Sequence, residues 1–590
     1  MKTVKFARAS APTALCWAAL SWPALAWTAP ALAADPPAKP PAMDMPGMSM
    51  SGPMNMGLAP MPAVYAGQAD KPGAPVFDNL GDHHHAISTR NPQTQMFFDQ
   101  GVKLLFGFNH AEAIRSFRQG ARLDPDCAMC WWGVAFALGP NINLPMPDDA
   151  VKPAWQALQK AKALEPKASP EERAWIEALA TRYAADPKAD RKALDEAFAK
   201  AMGELWKANP QDLDAGTFYA EAMMDTQPWD YWQADGSTPK GHGGEIVRVL
   251  ETLIKQAPSH PGALHLYIHA VEASTTPERG EAAADRLFGL MPGAGHIVHM
   301  PGHIYYRVGR YADAVRVNEI AAKVDEAYIA SCKAQGYYPA GYYGHNIHFL
   351  WTSSEMQGRS QASLDAARRL IKAVDPVSLA KVMPQSDLYV FTPVASLLRF
   401  GRWNEILAEP APPPDLKLAN AVWLEARGFA HANTGDIAAA REDQKALTAL
   451  VGADYSRWAA VGVPAHDMAD LALALLNGEI ARRSGDLPAA ITWFRMAAGI
   501  EARLPYSEPP YWHQPTSHLL GAALMQAHRP AEAEAVYRES LKTYRGDGWA
   551  LYGLTQALDA QGKTAEAADA RKAFEASWKF ADVKLAASRF

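Results

Sequence analysis

The sequence has 590 residues, of which 49% are hydrophobic and 20% are charged, and its formal net charge is −6. This composition is typical of a globular protein and excludes the concentrated basic surface that binding to nucleic-acid phosphates requires. After the N-terminal segment no stretch is apolar enough to span a bilayer. We therefore expect a folded protein with no nucleic-acid partner and no membrane span.

The N-terminus has the three parts of a secretory signal peptide. The first ten residues carry three basic side chains, an apolar run follows, and Ala-Leu-Ala at 31–33 is a small-residue cleavage site. The apolar run is short and contains Pro23, which argues against a membrane anchor. The sequence therefore predicts that residues 1–33 are removed on export and that the mature protein, if bacterial, is periplasmic.

Residues 34–90 are rich in proline, glycine and methionine and lack a periodic apolar pattern, which predicts a disordered linker. Part of it resembles, over this short stretch only, the methionine-rich motifs of exported copper-resistance proteins. Thioethers are soft ligands that select Cu(I), and the nearby Asp82–His85 run offers harder donors suited to Cu(II) or Zn(II). A plain tether, or a sink for oxidants, is the alternative. The candidate Cu(I) ligands are Met43, Met45, Met48, Met50, Met54, Met56 and Met61.

From residue 94 onward the apolar pattern is helical and repeats about every 34 residues. In the first unit Gly101 allows two antiparallel helices to approach closely, Ala113 fits their crossing point, Phe117 fills the space between them, and Pro125 ends the second helix. The same signature recurs around Gly302, Gly478 and Gly521.

This pattern resembles the tetratricopeptide-repeat family over most of residues 94–580. The resemblance implies an all-α fold, a tetratricopeptide-like α-solenoid of antiparallel helix pairs behind the N-terminal leader. It also implies a concave face, lined by the first helix of each pair, that binds peptides or partner proteins. We divide the repeats into 91–260, a histidine-rich part at 261–360, and 361–590.

Seven of the eighteen histidines lie between residues 265 and 348. Six of them form three pairs, spaced four, four and three residues apart, so each pair lies on one face of a helix. The first two pairs are 34 residues apart, which is the repeat length, and therefore occupy equivalent positions on successive first helices. The predicted metal ligands are His265, His269, His299, His303, His345 and His348.

Imidazoles four residues apart can share one metal ion, and a ligand from a neighbouring helix completes a zinc or copper site. Glu272 is the candidate catalytic residue, since it could ligate, orient an imidazole or act as a base. Around these residues we expect a groove for a partner or small ligand. Its predicted lining is Tyr305, Tyr306, Tyr342, Tyr343 and Trp351. The alternative is that the histidines are ordinary packing residues, bonded to backbone carbonyls or tyrosine hydroxyls.

The leading functional prediction is a periplasmic binding or scaffold protein with a histidine-rich site for copper or zinc, with copper favoured. The alternative is a copper, zinc or iron enzyme on the same scaffold, and a third interpretation is a metal-free peptide-binding repeat protein. His110, His513 and His518 are interpreted as packing, loop or helix-start residues. Cys127 and Cys130 are expected to be small buried residues rather than a disulfide, because a chain this long needs no covalent staple.

Overall fold

The computed structural model describes residues 62–65, 69–334, 336–381 and 383–590, and these residues are helical with no β-strand. Within them, no helix has the length and apolar character needed to cross a membrane. The predicted signal peptide and the methionine-rich stretch lie outside the described residues. In chain order the α-helices are α1 (Pro92–Phe106), α2 (His110–Leu123), α3 (Ala128–Ala137), α4 (Val151–Leu164), α5 (Pro170–Ala180), α6 (Arg191–Ala208), α7 (Leu213–Thr226), α8 (Gly243–Gln256), α9 (Pro261–Val271), α10 (Glu281–Leu287), α11 (Gly295–His299), α12 (Pro301–Arg307), α13 (Tyr311–Cys332), α14 (Gly344–Met356), α15 (Ser360–Val374), α16 (Pro376–Leu379), α17 (Asp387–Val390), α18 (Thr392–Arg399), α19 (Trp403–Ala408), α20 (Lys417–Thr434), α21 (Ile437–Val451), α22 (Ser456–Ala459), α23 (Ala465–Arg483), α24 (Leu487–Glu501), α25 (Ser517–Gln526), α26 (Pro530–Thr543), α27 (Gly548–Asp559) and α28 (Thr564–Ser577).

Successive helices pack as antiparallel pairs, such as α1 with α2, α14 with α15, and α23 with α24. In several pairs a glycine on the first helix faces an aromatic ring on the second. A Cβ atom added at Gly101 would lie 2.3 Å from the Phe117 ring, and one at Gly478 would lie 2.5 Å from Phe494. The prediction of an all-α, tetratricopeptide-like solenoid is confirmed, and the glycines work as predicted.

The histidine-rich repeat departs from this rule at one position. Gly302 is followed sixteen residues later by Asn318, where the other repeats carry Phe117 or Phe494 at the same spacing. A Cβ atom at Gly302 would still lie 2.7 Å from the Asn318 side chain, so the close approach is kept while the ring is replaced by an amide. A buried amide needs hydrogen-bond partners, which makes this position a candidate for function.

The C-terminal repeats fold back onto the middle of the chain. Arg545 forms an ion pair with Glu278 at 2.7 Å, and the Trp549 indole donates a hydrogen bond to the Glu355 carbonyl at 3.0 Å. This return brings the loop between α24 and α25, residues 502–516, against the helices that carry the histidines. The loop therefore covers the inner side of the histidine-rich repeats.

Residues 69–90, which the sequence analysis assigned to a disordered linker, are packed on the repeats without forming helices. Leu80 is 2% exposed, and side chains of α1 satisfy the backbone of this segment. The Gln100 amide accepts from Phe77 N at 2.9 Å, and the Lys103 ammonium donates to the Gly81 carbonyl at 3.0 Å. Because these partners are supplied from outside the segment, it carries no periodic pattern that would have predicted its order.

Cys127 and Cys130 form a disulfide at the start of α3, so the expectation of two free thiols is wrong. Cys127 is the N-cap of the helix and Cys130 lies in its first turn, which brings their Cα atoms to 5.4 Å. That separation is within the range a disulfide requires. A three-residue spacing across a helix start thus brings the two sulfurs together. The local geometry allows this disulfide whatever the length of the chain.

Candidate metal centre

Six buried or half-buried histidines meet on the first helices of three consecutive repeats. They belong to α9, to the adjoining helices α11 and α12, and to α14. Their side-chain nitrogens form two groups, each with all three ligand atoms within 4.8 Å of one another. The first group, which we call the upper triad, is His265, His269 and His296. The second, the lower triad, is His299, His303 and His345.

A Met-Pro-Gly segment at residues 300–302 interrupts the helix, and this break explains how one repeat supplies three of the six histidines. Helix α11 ends at His299 and α12 begins at Pro301, whose missing N–H is tolerated at a first helical position. His303 N still donates to the Met300 carbonyl at 3.2 Å, so the backbone continues in nearly helical form. His296 and His299 therefore lie one turn apart before the break, and His303 one turn after it.

In the upper triad two imidazoles are held by fixed acceptors through Nδ1. His265 Nδ1 is 2.7 Å from the Phe106 carbonyl, and His269 Nδ1 is 2.9 Å from Oε1 of Glu272. A carbonyl or carboxylate oxygen only accepts, so the proton of each neutral ring is on Nδ1 and Nε2 carries a lone pair. His265 Nε2 lies 3.1 Å from His296 Nε2, and His269 Nε2 is buried with no protein partner.

The lower triad repeats this arrangement. His299 Nδ1 donates to Oδ1 of Asn318 at 2.5 Å, and Asn318 Nδ2 donates to the Ala314 carbonyl at 2.8 Å, which fixes the orientation of the amide. His303 Nδ1 contacts Oε2 of Glu272. His303 Nε2 then lies 2.7 Å from His299 Nε2 and 3.3 Å from His345 Nε2. The amide that replaces the repeat's aromatic ring thus orients a histidine.

Three imidazoles, those of His265, His269 and His299, therefore direct unprotonated Nε2 atoms into the two triads. The Nε2 atoms of His299 and His303 are 2.7 Å apart, so a proton carried by His303 or a bound cation lies between them. Two imidazole nitrogens bound to one tetrahedral ion at 2.0–2.1 Å are about 3.3 Å apart, close to the separations seen here. Ligating histidines also characteristically donate their other ring N–H to a carboxylate or carbonyl. The donor set and its surroundings fit a transition-metal ion in each triad.

Two carboxylates border the lower triad, and one of them joins both groups. Glu272 is fully buried and accepts from His269 through one oxygen and from His303 through the other. Glu508 comes from the loop at 502–516; its side chain is 3% exposed and also contacts His303 Nδ1. Among the described residues neither carboxylate pairs with a lysine or arginine, so the cation that balances their charge is a protonated His303 or a bound metal ion.

The protonation of the cluster follows from burial and from these carboxylates. Burial lowers the pKa of His265, His269, His296, His299 and His345 well below the usual range for imidazole. Burial also opposes a charge on His303, but Glu272 and Glu508 outweigh it and raise the pKa of His303 to about 10. Burial, reinforced by the charge of Glu272, raises the pKa of Glu508 to about 8. Five of the six imidazoles are thus in the neutral form that binds metals.

Five of the six histidines predicted as ligands lie in the two triads, and Glu272 lies between them. His348 is the exception: its ring stacks on Trp351 at 5.1 Å and faces a neighbouring cavity. His296 takes the sixth place, and its spacing of three from His299 was the available signal. Glu508 was missed because it is more than 150 residues away in sequence and lies in an irregular loop.

The tyrosines predicted to line a groove are all buried. Tyr342 borders the upper triad, with its ring 4.9 Å from His296. Tyr305 and Tyr343 instead donate their hydroxyls to Asp285 and Glu326 on the far side of their helices, and Tyr306 packs against Tyr311 and Phe349. These rings are therefore part of the repeat core and do not form an open groove.

A second histidine cluster surrounds Asp214 on α7. His260 Nε2 lies 2.9 Å from one carboxylate oxygen, His85 Nδ1 lies 2.7 Å from the other, and His83 Nε2 is 3.2 Å away. His260 Nδ1 accepts a hydrogen bond from Ala263 N as the N-cap of α9, so its proton is on Nε2 and is donated to Asp214. We call this group the Asp214 cluster; it ties residues 83–85 to the repeats.

Two other histidines interpreted as packing residues are also hydrogen-bonded. His110 begins α2, and its Nδ1 lies 3.2 Å from the Phe108 carbonyl. His518, in the first turn of α25, lies between Asp547 and Arg399, at 2.5 Å and 2.9 Å. Both are buried, and neither contributes a nitrogen to the triads.

No protein-family model matches the sequence, and no curated protein sequence matches it. Solved structures similar to this chain include the human IFIT1 dimer with m7Gppp-AAAA, with 12% identity over 84% of this chain and 91% of that one, at a TM-score of 0.31. The Cut9–Hcn1 complex has 13% identity over 82% and 76%, at 0.27, and yeast Tom70 has 10% identity over 81% and 90%, also at 0.27. The fold assignment rests on the helix pairs described above, and function is argued from this chain's own residues.

Proposed function

We propose that the protein binds two transition-metal ions in the upper and lower triads and carries them on a repeat scaffold of the kind that binds proteins and peptides. The observation that carries this proposal is the convergence of six imidazole nitrogens in two groups, in which Nδ1–H bonds to fixed acceptors direct the Nε2 lone pairs of His265, His269 and His299 inward. Glu272, bonded to a histidine of each triad, would couple the two sites.

The donor set favours copper or zinc. Three imidazoles per ion, without thiolate, suit both metals, whereas carboxylate-rich sets suit magnesium, calcium or manganese. We propose copper as the first candidate because the leader between Met43 and Met61 offers thioethers that select Cu(I). The presence of Glu272 and Glu508 keeps an iron or zinc enzyme as the second candidate, since a carboxylate beside an ion can act as a base.

Export to the periplasm is part of the same proposal. The signal-peptide pattern at residues 1–33 supports it, and a disulfide between Cys127 and Cys130 is compatible with an oxidising compartment. A periplasmic protein meets copper outside the cytosol, so the location and the metal are consistent with each other.

The test is metal content, measured by mass spectrometry on the mature protein after loading with copper or zinc and desalting. We expect about two ions per chain for the wild type. His269→Ala should lose the upper ion and His299→Ala the lower one, and the His269→Ala, His303→Ala double variant should lose both. His348→Ala is the matched control, because this histidine lies on α14 but outside the triads, and it should keep both ions.

Two results would contradict the proposal. One is a wild-type protein that retains less than one ion under conditions where its circular dichroism is unchanged. The other is equal metal loss from His348→Ala and His299→Ala, which would mean that the triads are not the binding sites. Replacing the leader methionines by leucines distinguishes metal bound by the leader from metal bound by the triads, since the triads should keep their ions without the thioethers. The replaced residues are Met43, Met45, Met48, Met50, Met54 and Met56.

A further inference from the structure

A cavity of about 250 Å³ lies against the lower triad. His345 belongs to both, since its Nε2 is part of the triad and its side chain lines the cavity, and Glu508, which contacts His303, lines the cavity as well. Val461, another lining residue, is 47% exposed, so the cavity reaches the surface. A small molecule could enter from solvent and come to rest next to a metal ligand.

The wall of the cavity is largely flat and aromatic. His348 and Trp351 are stacked with an angle of 4° between their rings, and Tyr389 meets His348 edge-on at 5.1 Å. Phe391 and the ring of Pro509 complete this surface. Aromatic faces and edges of this kind favour a planar ring, which can stack on one wall and meet another at its edge.

His513 provides an unusual polar group in this wall. It is 6% exposed, yet neither of its ring nitrogens has a hydrogen-bond partner in the protein. Burial, with the positive charge of Arg399, lowers the pKa of His513 to about 3, so the ring is neutral and offers one donor and one acceptor. Gln385 Oε1, also unpartnered, is a second acceptor in the lining. Buried polar groups are normally paired, so these atoms call for a ligand that pairs them.

We propose that this cavity is the ligand site of the metal centre and that it takes a small, uncharged ring compound bearing a hydroxyl or amide group. The hydroxyl would donate to and accept from His513 or Gln385 while the ring lies on Trp351 and Phe391. A charged group would find no partner on the aromatic wall, and burying an unpaired charge is costly, which selects a neutral molecule. The size corresponds to one ring with roughly ten heavy atoms. The statement that this cavity serves the metal centre rests on the proposed function. The cavity and its unpaired polar groups are independent of that proposal.

The experiment uses the mature, copper-loaded full chain and 4-methylphenol as the probe, with binding measured by isothermal titration calorimetry. We expect 4-methylphenol to bind, while 4-methylbenzoate and 4-methylbenzylamine, which have the same ring but carry a charge, bind at least tenfold more weakly. His513→Phe keeps a ring of similar shape and removes both nitrogens; it should weaken 4-methylphenol binding on the order of tenfold with unchanged metal content. His431→Phe, at a partly buried histidine away from the cavity, should change neither.

Further readouts keep the inference separate from the metal proposal. Addition of 4-methylphenol should change the electron paramagnetic resonance spectrum of bound Cu(II), because the ligand lies beside His345. Equal affinity of wild type and His513→Phe, or no binding by metal-loaded wild type at millimolar probe, overturns the inference. The wild type could retain no metal after loading and still bind 4-methylphenol, with this binding lost in His513→Phe. That result would support the cavity site and overturn the metal proposal. If His513→Phe does not fold, Gln385→Leu, at a less buried position, decides by the same comparison.

Discussion

Two histidine clusters among the described residues look similar in composition and differ in chemistry. The triads gather six imidazoles around Glu272, and the Asp214 cluster gathers three around one carboxylate. In the triads, His265, His269 and His299 donate Nδ1–H to an acceptor behind the ring, so their Nε2 atoms face the interior as lone pairs. In the Asp214 cluster His260 has the opposite tautomer, because its Nδ1 accepts from the backbone of α9 and its Nε2–H points to the carboxylate.

The difference shows that the hydrogen-bond partner of one imidazole nitrogen decides whether the other nitrogen carries a proton or a lone pair. An acceptor behind the ring prepares a metal ligand, whereas a donor behind it prepares a hydrogen-bond donor. Ligand atoms of His83, Asp214 and His260 converge as closely as those of the triads, yet their contacts are satisfied by protons already present. We therefore interpret the Asp214 cluster as a latch for the N-terminal segment and the triads as the metal centre.

Removal of the metal should produce the largest effect and should be confined to one cluster. At a metal concentration a thousandfold above Kd, binding stabilises the folded state by about 4 kcal/mol, and a chelator removes this contribution. Hydrogen exchange should then rise in α9, α11, α12 and α14, while residues 83–85 keep their protection. Thermal unfolding and exchange, measured before and after chelation, check this. Equal loss of protection at residues 83–85 would mean that the two clusters are not distinct.

Removing the carboxylate of the latch should have the opposite distribution. Asp214→Ala leaves three histidines without their common acceptor, and breaking a buried interaction of this kind costs about 3 kcal/mol. We expect residues 69–90 to become sensitive to limited proteolysis while both metal ions are retained. Asp190→Ala is the control, since Asp190 is the N-cap of α6 and does not contact these histidines. Loss of metal from Asp214→Ala would show that this cluster belongs to the metal centre.

Much of the fold could be predicted from the sequence because the repeat is a local pattern. The spacing of Gly101 and Phe117 within one helix pair recurs in the pairs around Gly478 and Gly521, so the packing of these pairs can be inferred from a few residues. The i, i+4 spacing likewise placed His265 with His269 and predicted Glu272 beside them. These inferences concern residues on one helix or on neighbouring helices of equal register.

The parts that could not be predicted depend on long-range contacts. Glu508 reaches His303 only because the C-terminal repeats return to the middle of the chain, and no local spacing encodes that return. His345 and His348 share a helical face by spacing, but the packing of α14 turns one toward the triad and the other onto Trp351. The order of residues 69–90 has the same origin, since it depends in part on contacts with the distant Asp214.

Changing the acceptor behind a triad histidine tests the comparison more finely. Asn318→Leu removes the acceptor of His299 Nδ1 while keeping a side chain of similar volume, and the loss of such an outer partner weakens metal binding about 10–100-fold. Asn318→Asp keeps an acceptor oxygen and should retain most of the affinity. Competition with a chelator of known affinity measures both. If Asn318→Leu binds both ions as tightly as the wild type, the orientation of His299 is not set by this residue.

The smallest expected effect is a pH dependence of the latch. Burial opposes a charge on His85, but its hydrogen bond to Asp214 and the charges of Asp214, Asp212 and Asp99 outweigh burial and raise the pKa of His85. Burial also opposes ionisation of Asp214, but the hydrogen bonds from three histidines outweigh it and lower the pKa of Asp214 well below the usual range. The raised pKa of His85 stabilises the docking of residues 69–90 below about pH 6.5, and this contribution is lost as the pH rises through the folded-state pKa. The lowered pKa of Asp214 stabilises docking above about pH 4, and this contribution is lost as the pH falls through the folded-state pKa. Proteolysis of residues 69–90 should therefore be slowest between about pH 4 and 6.5 and should accelerate toward pH 8. His85→Gln should remove the rise on the alkaline side, because a glutamine does not titrate, and a rise that persists in this variant would assign the pH dependence to another group.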